Sequence, residues 1–471
     1  MADLQASLTS TARITLSKWQ RSLAQCEQEG DEAGMAEALD SIGGIYRSQG
    51  VYVEALDAFR RAMILLERLG DQGQAARVLG EMSEIYIQAG QADDALGLLQ
   101  RAAAIYQRLG DLGATADTLV VAGNVEFRRG RLHDALGYFT RALSMRERLG
   151  SPMDTAECLV RLAGISLIQG KLTLARDAAL RALPLREKHG TASQVAQTLI
   201  LLGLIASRQG FDPAAVEHLG QALRLSESAR DAAVTGEALS ALGEIYTRQK
   251  HEAQALDALN RAQTIQEQQN NAAAVAETLS RRGELYREQG RLGQALTVHN
   301  QALALRERLG DPLAISASLT SAGATVEAQG RLRQGLEYYQ RARAMRETTG
   351  EMSLVAGSLI NIADVLDEQG KLEEADALYQ QALALREAAG DQAGIARACY
   401  AMARSLWRHE KRDEAIPLIE RAMTLYREER MFPEAIRELE RLASIYQEMG
   451  NKERAAGYRQ EAEELRAQLG G

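Results

Sequence analysis

Residues 31–70 read DEAGMAEALDSIGGIYRSQGVYVEALDAFRRAMILLERLG, and two apolar stripes at helical spacing run through them. Leu39, Ile42, Gly43 and Tyr46 fall at steps of three, one and three, which puts them on one face of a helix turning about 100° per residue. Gly50 follows that segment. Ala55, Phe59 and Ala62 then line one side of a second helix that stops at Gly70. Asp31 sits just before the first helix as an N-cap, with a carboxylate able to accept from the exposed first-turn amides. The stretch reads as a helical hairpin, with Gly43 small enough to let the paired helices approach closely.

The same hairpin returns every forty residues. Ala62, Ala102, Ala142, Ala182, Ala222, Ala262, Ala302, Ala342, Ala382, Ala422 and Ala462 follow one another without a register slip. The small residue of Gly43 recurs as Ser83, Gly123, Ala163, Gly203, Gly243, Gly283, Gly323, Ala363, Ala403 and Ala443. Glycines close the helices in two phases, Gly30, Gly70, Gly110 and Gly150 in one and Gly50, Gly90, Gly130 and Gly170 in the other. A period of this size means a solenoid in which each unit buries its apolar face on its neighbours, so function belongs to the extended surface.

Leu39-x2-Ile42-Gly43-x2-Tyr46, followed by Ala55-x3-Phe59 and Ala62, resembles the tetratricopeptide repeat (TPR), with Leu39 in the usual tryptophan place. The standard unit has 34 residues and a proline near the end of its second helix; here Glu67, Glu147, Glu187 and Glu307 hold that place, and both helices can lengthen. The junctions Leu69-Gly70-Asp71, Leu109-Gly110-Asp111 and Leu309-Gly310-Asp311 are similar to the long TPR units of the LGN/Pins family and of bacterial TPR regulators. HEAT repeats and β-propeller blades share the period but not the alanine and small-residue signature. The resemblance implies an all-α, right-handed α-solenoid of eleven TPR units over residues 31–470. Residues 1–30 read as a lone second helix capping the array, Trp19 standing where Phe59 stands and Leu23 beside it.

Bulk composition narrows the function. Apolar residues make up 46% of the 471, enough for a continuous core, and the chain reads as one elongated domain rather than several. A net charge of −9 argues against a general nucleic-acid or anionic-membrane binder, since both need a basic surface. Cys26, Cys158 and Cys399 are scattered over different units and fit neither a disulfide framework nor a metal site, which suits a reducing, cytoplasmic setting. No secretory leader and no membrane-spanning run is legible, Leu201–Ala206 being far too short. No phosphate-binding glycine loop or HExxH pair is present, and the six histidines are dispersed. An active-site loop would also interrupt the period, and nothing does. The expectation is a protein that is no enzyme, uses no cofactor or metal, and works by holding partners.

Two irregularities stand out. The unit at 231–270 carries Arg230, Lys250 and Asn270 where glycines are due, which predicts turns built differently and a seam near 230–270. Pro152, Pro312 and Pro433 begin helices, whereas Pro184 falls mid-helix and predicts a local kink.

In the TPR resemblance the inner groove is lined by the first helix of each unit. If Leu39, Ile42, Gly43 and Tyr46 face the core, positions such as Asp40, Gly44 and Arg47 face away. The third to fifth units carry Val120, Val121, Asn124 and Phe127, then Val160, Leu167 and Ile168, then Ile200, Leu201 and Leu204 on that side, flanked by Arg128, Arg161 and Arg208. Later units turn polar, with Glu244, Arg248, Glu284, Arg287, Asp364, Asp367, Arg404 and Arg408 around Trp407. An apolar stripe of this kind predicts docking of a peptide or amphipathic helix from another protein, unless the coil of the superhelix or the N-terminal segment covers it. The resemblance to chaperone-binding TPRs would require groove lysines, which are missing, and asparagines, of which Asn124 is the one present; LGN/Pins proteins also use several asparagines, and carry G-protein-binding motifs downstream, whereas this sequence stops at Gly471. The expected role is a cytoplasmic scaffold or adaptor binding a protein segment in its groove. A peptide-responsive regulator and an obligate, self-associating or assembled subunit are the alternatives.

Overall fold

A computed structural model describes residues 9–470; Gly471 and the eight residues before Thr9, which the sequence assigns to the capping segment, lie outside the described residues. Among the described residues there are 23 helices and no strand. After Ser10–Glu29 the helices alternate in pairs: Glu32–Ser48 packs on Tyr52–Leu69, Gln72–Gln88 on Ala92–Leu109, and so on to Phe432–Glu448 on Lys452–Gly470. The architecture is an α-solenoid of helix pairs. Contacts divide the chain into two compact units, Met1–Arg128 with Asp134–Ser151, and Arg129–His133 with Pro152–Gly471.

The periodic residues are what join each pair. All eleven alanines from Ala62 to Ala462 are at most 1% exposed. At Gly43 an added Cβ would lie 2.7 Å from the Phe59 ring, and at Gly243 it would lie 2.5 Å from Leu259, so in these two pairs the second helix sits too close to the first for any side chain there. Leu16 of the first helix is buried with Ile42 and Ala58, and Trp19 and Leu23 pack against that cluster.

Helix ends follow the junction chemistry. The side chains of Asp31, Asp71, Asp111, Asp231 and Asn271 accept from the amide three residues on, at 2.9–3.1 Å. Gly70 closes its helix at φ 71°, and the Asp71 amide then reaches back to the Leu66 carbonyl at 3.0 Å. The expectation of differently built turns around 231–270 is corrected here. Arg230, Lys250 and Asn270 adopt φ of 56°, 60° and 53°, the left-handed conformation that glycine supplies elsewhere, and the Asp231 amide reaches the Ser226 carbonyl at 2.9 Å as in the glycine turns. The hydrogen-bond pattern prevails and the side chain bears the strain. The turn that does differ keeps its glycine: Gly190 is extended, at φ −98° and ψ −177°, and Thr191 opens the next helix with a reciprocal capping box to Gln194. Helix Leu172–His189 runs through Pro184, and helix Arg412–Glu428 likewise runs through Pro417.

A second feature, polar and buried, links successive pairs at several junctions of the second unit. Arg186 is 2% exposed and donates to the Gln194 carbonyl at 2.9 Å, to Thr198 at 3.2 Å and to Glu157 at 2.7 Å. Arg306 repeats the arrangement with Ser318 at 2.7 Å, and Arg346 with the Leu354 carbonyl at 3.1 Å and Ser358 at 2.9 Å. Gln266 takes the arginine's place in its own unit and accepts from Thr278 at 2.7 Å. Burial pushes the Arg346 guanidinium down to about 10.

Candidate protein-interaction surface

Within the second unit the first helices of successive pairs touch one another, Ala192–Arg208 against Ala232–Arg248, and Ala232–Arg248 against Ala272–Glu288. Their shared side is a wall of charge. Arg281 meets Glu244 at 3.1 Å and Glu277 at 3.4 Å, and Arg248 donates to the Ser207 carbonyl and hydroxyl, each at 2.7 Å, and pairs with Asp212. Burial alone would raise the Glu277 carboxyl, but the guanidiniums of Arg281, Arg306 and Arg208 outweigh it and hold it below the usual range. Arg208 and Glu277 stand on first helices two pairs apart, so charged groups from several pairs converge on this wall. Burial raises Glu237, with Arg281 opposing. A surface of this kind can grip the carbonyls, carboxylates and amines of an extended chain.

The groove positions read from the sequence fall into three groups. Arg128, Arg161, Arg208, Arg248 and Arg408 are exposed, and Val120, Asn124, Phe127, Val160, Leu167, Leu204, Glu244, Glu284, Arg287, Asp364 and Arg404 are partly so. Val120, Asn124, Phe127 and Arg128 belong to the first unit and the rest to the second. Ile200 and Asp367 are corrections. Ile200 is 1% exposed in a core cluster with Val234, Ala241 and Leu242, because the next first helix lies over that flank. Asp367, 4% exposed, is taken up by Ser405 at 3.0 Å, His409 at 2.7 Å and Arg408, so it orients its own neighbours rather than a partner.

The apolar stripe of the fourth and fifth pairs is in large part covered. Leu204 packs on the cluster that holds Ile200. Leu167 packs against a cluster containing Leu172, Met431, Phe432 and Leu439, and Phe211 lies against the same cluster. The polar positions are paired along the chain: Glu284 with Arg287 at 2.6 Å, and Asp364 with Arg404 at 2.5 Å and with the Tyr379 hydroxyl at 2.5 Å. Burial would lower the Arg404 guanidinium, and Asp364 overrides it and raises it. Burial, then Asp364, raises the Tyr379 hydroxyl. Trp407 packs on a core cluster, and the Arg412 guanidinium stands 5.0 Å over its ring. Among the described residues no cluster of His, Cys, Asp and Glu could hold a metal ion, and no helix is long and apolar enough to cross a membrane.

A family model for the tetratricopeptide repeat matches residues 34–108, 74–148, 114–188, 194–268, 274–348 and 354–428. The chain belongs to the tetratricopeptide repeat family. Three solved structures resemble this TPR protein. A Rap protein complexed with competence and sporulation factor is 16% identical over 84% of this chain and 99% of its own, with a TM-score of 0.49. Aspartyl phosphate phosphatase F from Bacillus subtilis is 14% identical over 75% of this chain and 94% of its own, with a TM-score of 0.45. A signal transduction ATPase with numerous domains and a tetratricopeptide repeat sensor, from Pyrococcus horikoshii, is 18% identical over 71% of this chain and 52% of its own, with a TM-score of 0.47. No curated protein matches the TPR chain.

The arginines of the second helices, Arg186, Arg306 and Arg346, are absent from the groove set read from the sequence, although a signal was there. Each stands twelve residues before a hydroxyl, Thr198, Ser318 or Ser358, at the distance that a turn between two helices brings together.

Proposed function

We propose that this TPR protein is a non-enzymatic, cytoplasmic interaction scaffold whose second unit holds an extended segment of another protein along the wall formed by its first helices. The observation that carries the reading is the run of ion pairs along that wall, Arg281 meeting Glu244 of the preceding first helix at 3.1 Å and Glu277 of its own at 3.4 Å. Arg161, Arg208, Arg248, Glu244, Glu284 and Arg287 are the contacts proposed there, with Val160 and Leu204 as the apolar positions still partly open. Asp364, Arg404 and Arg408 extend the proposed wall toward the later pairs. Val120, Asn124, Phe127 and Arg128 form a corresponding, separate stretch of the first unit. Asn124 is the one asparagine at the groove positions, so recognition through several asparagines, which likeness to the LGN/Pins family would imply, has little support here.

The experiment is affinity capture with crosslinking from native lysate, comparing wild type with an Arg161→Glu, Arg208→Glu, Arg248→Glu triple variant. A partner lost from the variant, with helicity retained, supports the reading. An unchanged set of captured proteins removes this wall as the site.

A further inference from the structure

Three turns between paired helices, all within residues of the second unit, do more than reverse the chain. Phe211 meets Phe432 edge to face, with ring centroids 5.6 Å apart at 77°. Beside it an added Cβ on Gly210 would lie 2.0 Å from Cγ of Pro433. Leu172, 3% exposed, enters the cluster of Met431, Phe432 and Ala435, and Thr173 donates to Glu429 at 3.2 Å. The segment Arg129–His133, also part of this unit, lies against the junction at 349–351: the His133 amide donates to Glu351 at 2.7 Å across 218 residues of sequence. At Gly130 an added Cβ would stand 2.8 Å from Cγ2 of Thr349.

The residues at these contacts break the pattern of their own columns. The residue before each second helix is mostly polar, as in Gln91, Arg131, Lys171, His251, Arg291 and Lys371, and Phe211 replaces it with an aromatic ring. Phe211 and Phe432 are two of only five phenylalanines in the chain, and they meet each other. The residue before each first helix is ordinarily a capping Asp, Asn or Thr. Glu351 and Met431 stand at that place, and neither caps its own helix. The Glu351 carboxylate, 7% exposed, turns to His133, and the Met431 side chain, 5% exposed, joins the apolar cluster. Local capping is given up at the two junctions that receive turns from five or more pairs earlier. Gln209, 1% exposed in one of those turns, keeps a side-chain nitrogen without a partner, which hydration on opening would satisfy.

We propose that the second unit carries an intramolecular latch, in which the turns at 129–133, 169–173 and 209–211 dock reversibly on the junctions at 349–351 and 429–433, and that the latch controls access to the unit's inner wall. Its consequence for a ligand rests on the proposed function, but the closure itself does not.

Hydrogen exchange and small-angle X-ray scattering on the full chain test it, using Phe432→Ser and, at the other junction, Glu351→Ala. Each variant is expected to lose at least tenfold in amide protection at the turns docked on its own junction, 169–173 and 209–211 for Phe432→Ser and 131–133 for Glu351→Ala, and Phe432→Ser is expected to increase the radius of gyration. Helicity and protection within Glu252–Gln268 should stay at wild-type values. Turns that keep wild-type protection in a folded variant overturn the proposal. So do wild-type turns that exchange as fast as the turn at 249–251. Should Phe432→Ser not fold, Glu351→Ala decides through protection at 131–133. Loss of protection with partner capture unchanged leaves the latch standing and removes its gating role.

Discussion

His299 stands where Phe59 and Phe139 stand in earlier pairs, and its ring lies so close to Gly283 that an added Cβ would come within 2.3 Å of Cε1. The imidazole is 0% exposed, both ring nitrogens lack hydrogen-bond partners, and Nε2 is 3.7 Å from the Glu284 carboxylate. An aromatic slot thus holds a titratable ring in its neutral form.

Stability should therefore depend on pH through His299. Burial lowers its folded-state value below 6.5, Glu284 opposes, and Arg287 and Arg306 reinforce the lowering. The folded chain then binds fewer protons here than the unfolded chain, so this contribution is complete above 6.5 and is lost as pH falls below it. A His299→Phe variant should show a shallower loss of stability than wild type between neutral pH and pH ~5.5, where an unperturbed histidine would be mostly charged. Denaturant melts across that range check it, and parallel pH profiles would count against the buried neutral ring.

Ala222 is fully buried in a pair with neighbours on both sides. Ala222→Leu should cost about 1–3 kcal/mol as an overpacked site. The same change at Ala462, in the last pair, should cost less because a neighbouring pair lies on one side only. Both alanines are at most 1% exposed, so equal losses in thermal melts would show that burial alone, rather than position in the array, sets the cost.

Removing Arg186 should be expensive. Arg186→Ala strips the Gln194 carbonyl, Thr198 and Glu157 of one shared donor, and a loss of about 3 kcal/mol is expected, the low end for breaking a buried ion pair because Glu157 is half exposed. Arg161→Ala removes an exposed pairing with the same Glu157 at 3.0 Å and should cost about 0.5 kcal/mol or less. Chemical denaturation of the two variants separates the cases.

The left-handed turns offer a gain. Lys250 sits at φ 60°, a conformation costing a non-glycine residue about 1–2 kcal/mol. Lys250→Gly should recover about 1 kcal/mol, since glycine also loses more chain entropy on folding. Slower amide exchange in residues 246–255 is the measurement. Faster exchange would mean that the lysine side chain stabilises the turn in some other way.

The helix pairs were legible because each rests on local spacing: Ala62 and its ten successors share one face, and Gly43 and Phe59 meet inside one hairpin. The wall was legible in part. Arg208, Arg248 and Glu244 are partly or fully exposed as their offset from the core face requires. Ile200 was misplaced because a helix packed between two neighbours has a core face wider than one stripe, and the following first helix buries its flank. The cluster that covers Leu167 includes Phe432, which lies more than two hundred residues away and leaves no periodic trace. What it does leave is a departure from its column, as Phe211 does among Arg, Lys and Gln and Glu351 does among capping Asp and Asn. Reading the exceptions in each column, as well as the rule, would have found them.

The central claim is that the wall of first helices in the second unit takes a protein segment. The most direct test is capture of partners by wild type, by the Arg161→Glu, Arg208→Glu, Arg248→Glu variant, and by Arg224→Glu, a control on the second helix Asp212–Ser228. Wild type and Arg224→Glu should hold the same crosslinked partner, and the triple variant should lose it while circular dichroism and melting stay close to wild type. Retention of that partner by the folded triple variant, or its loss from Arg224→Glu alone, would contradict the account.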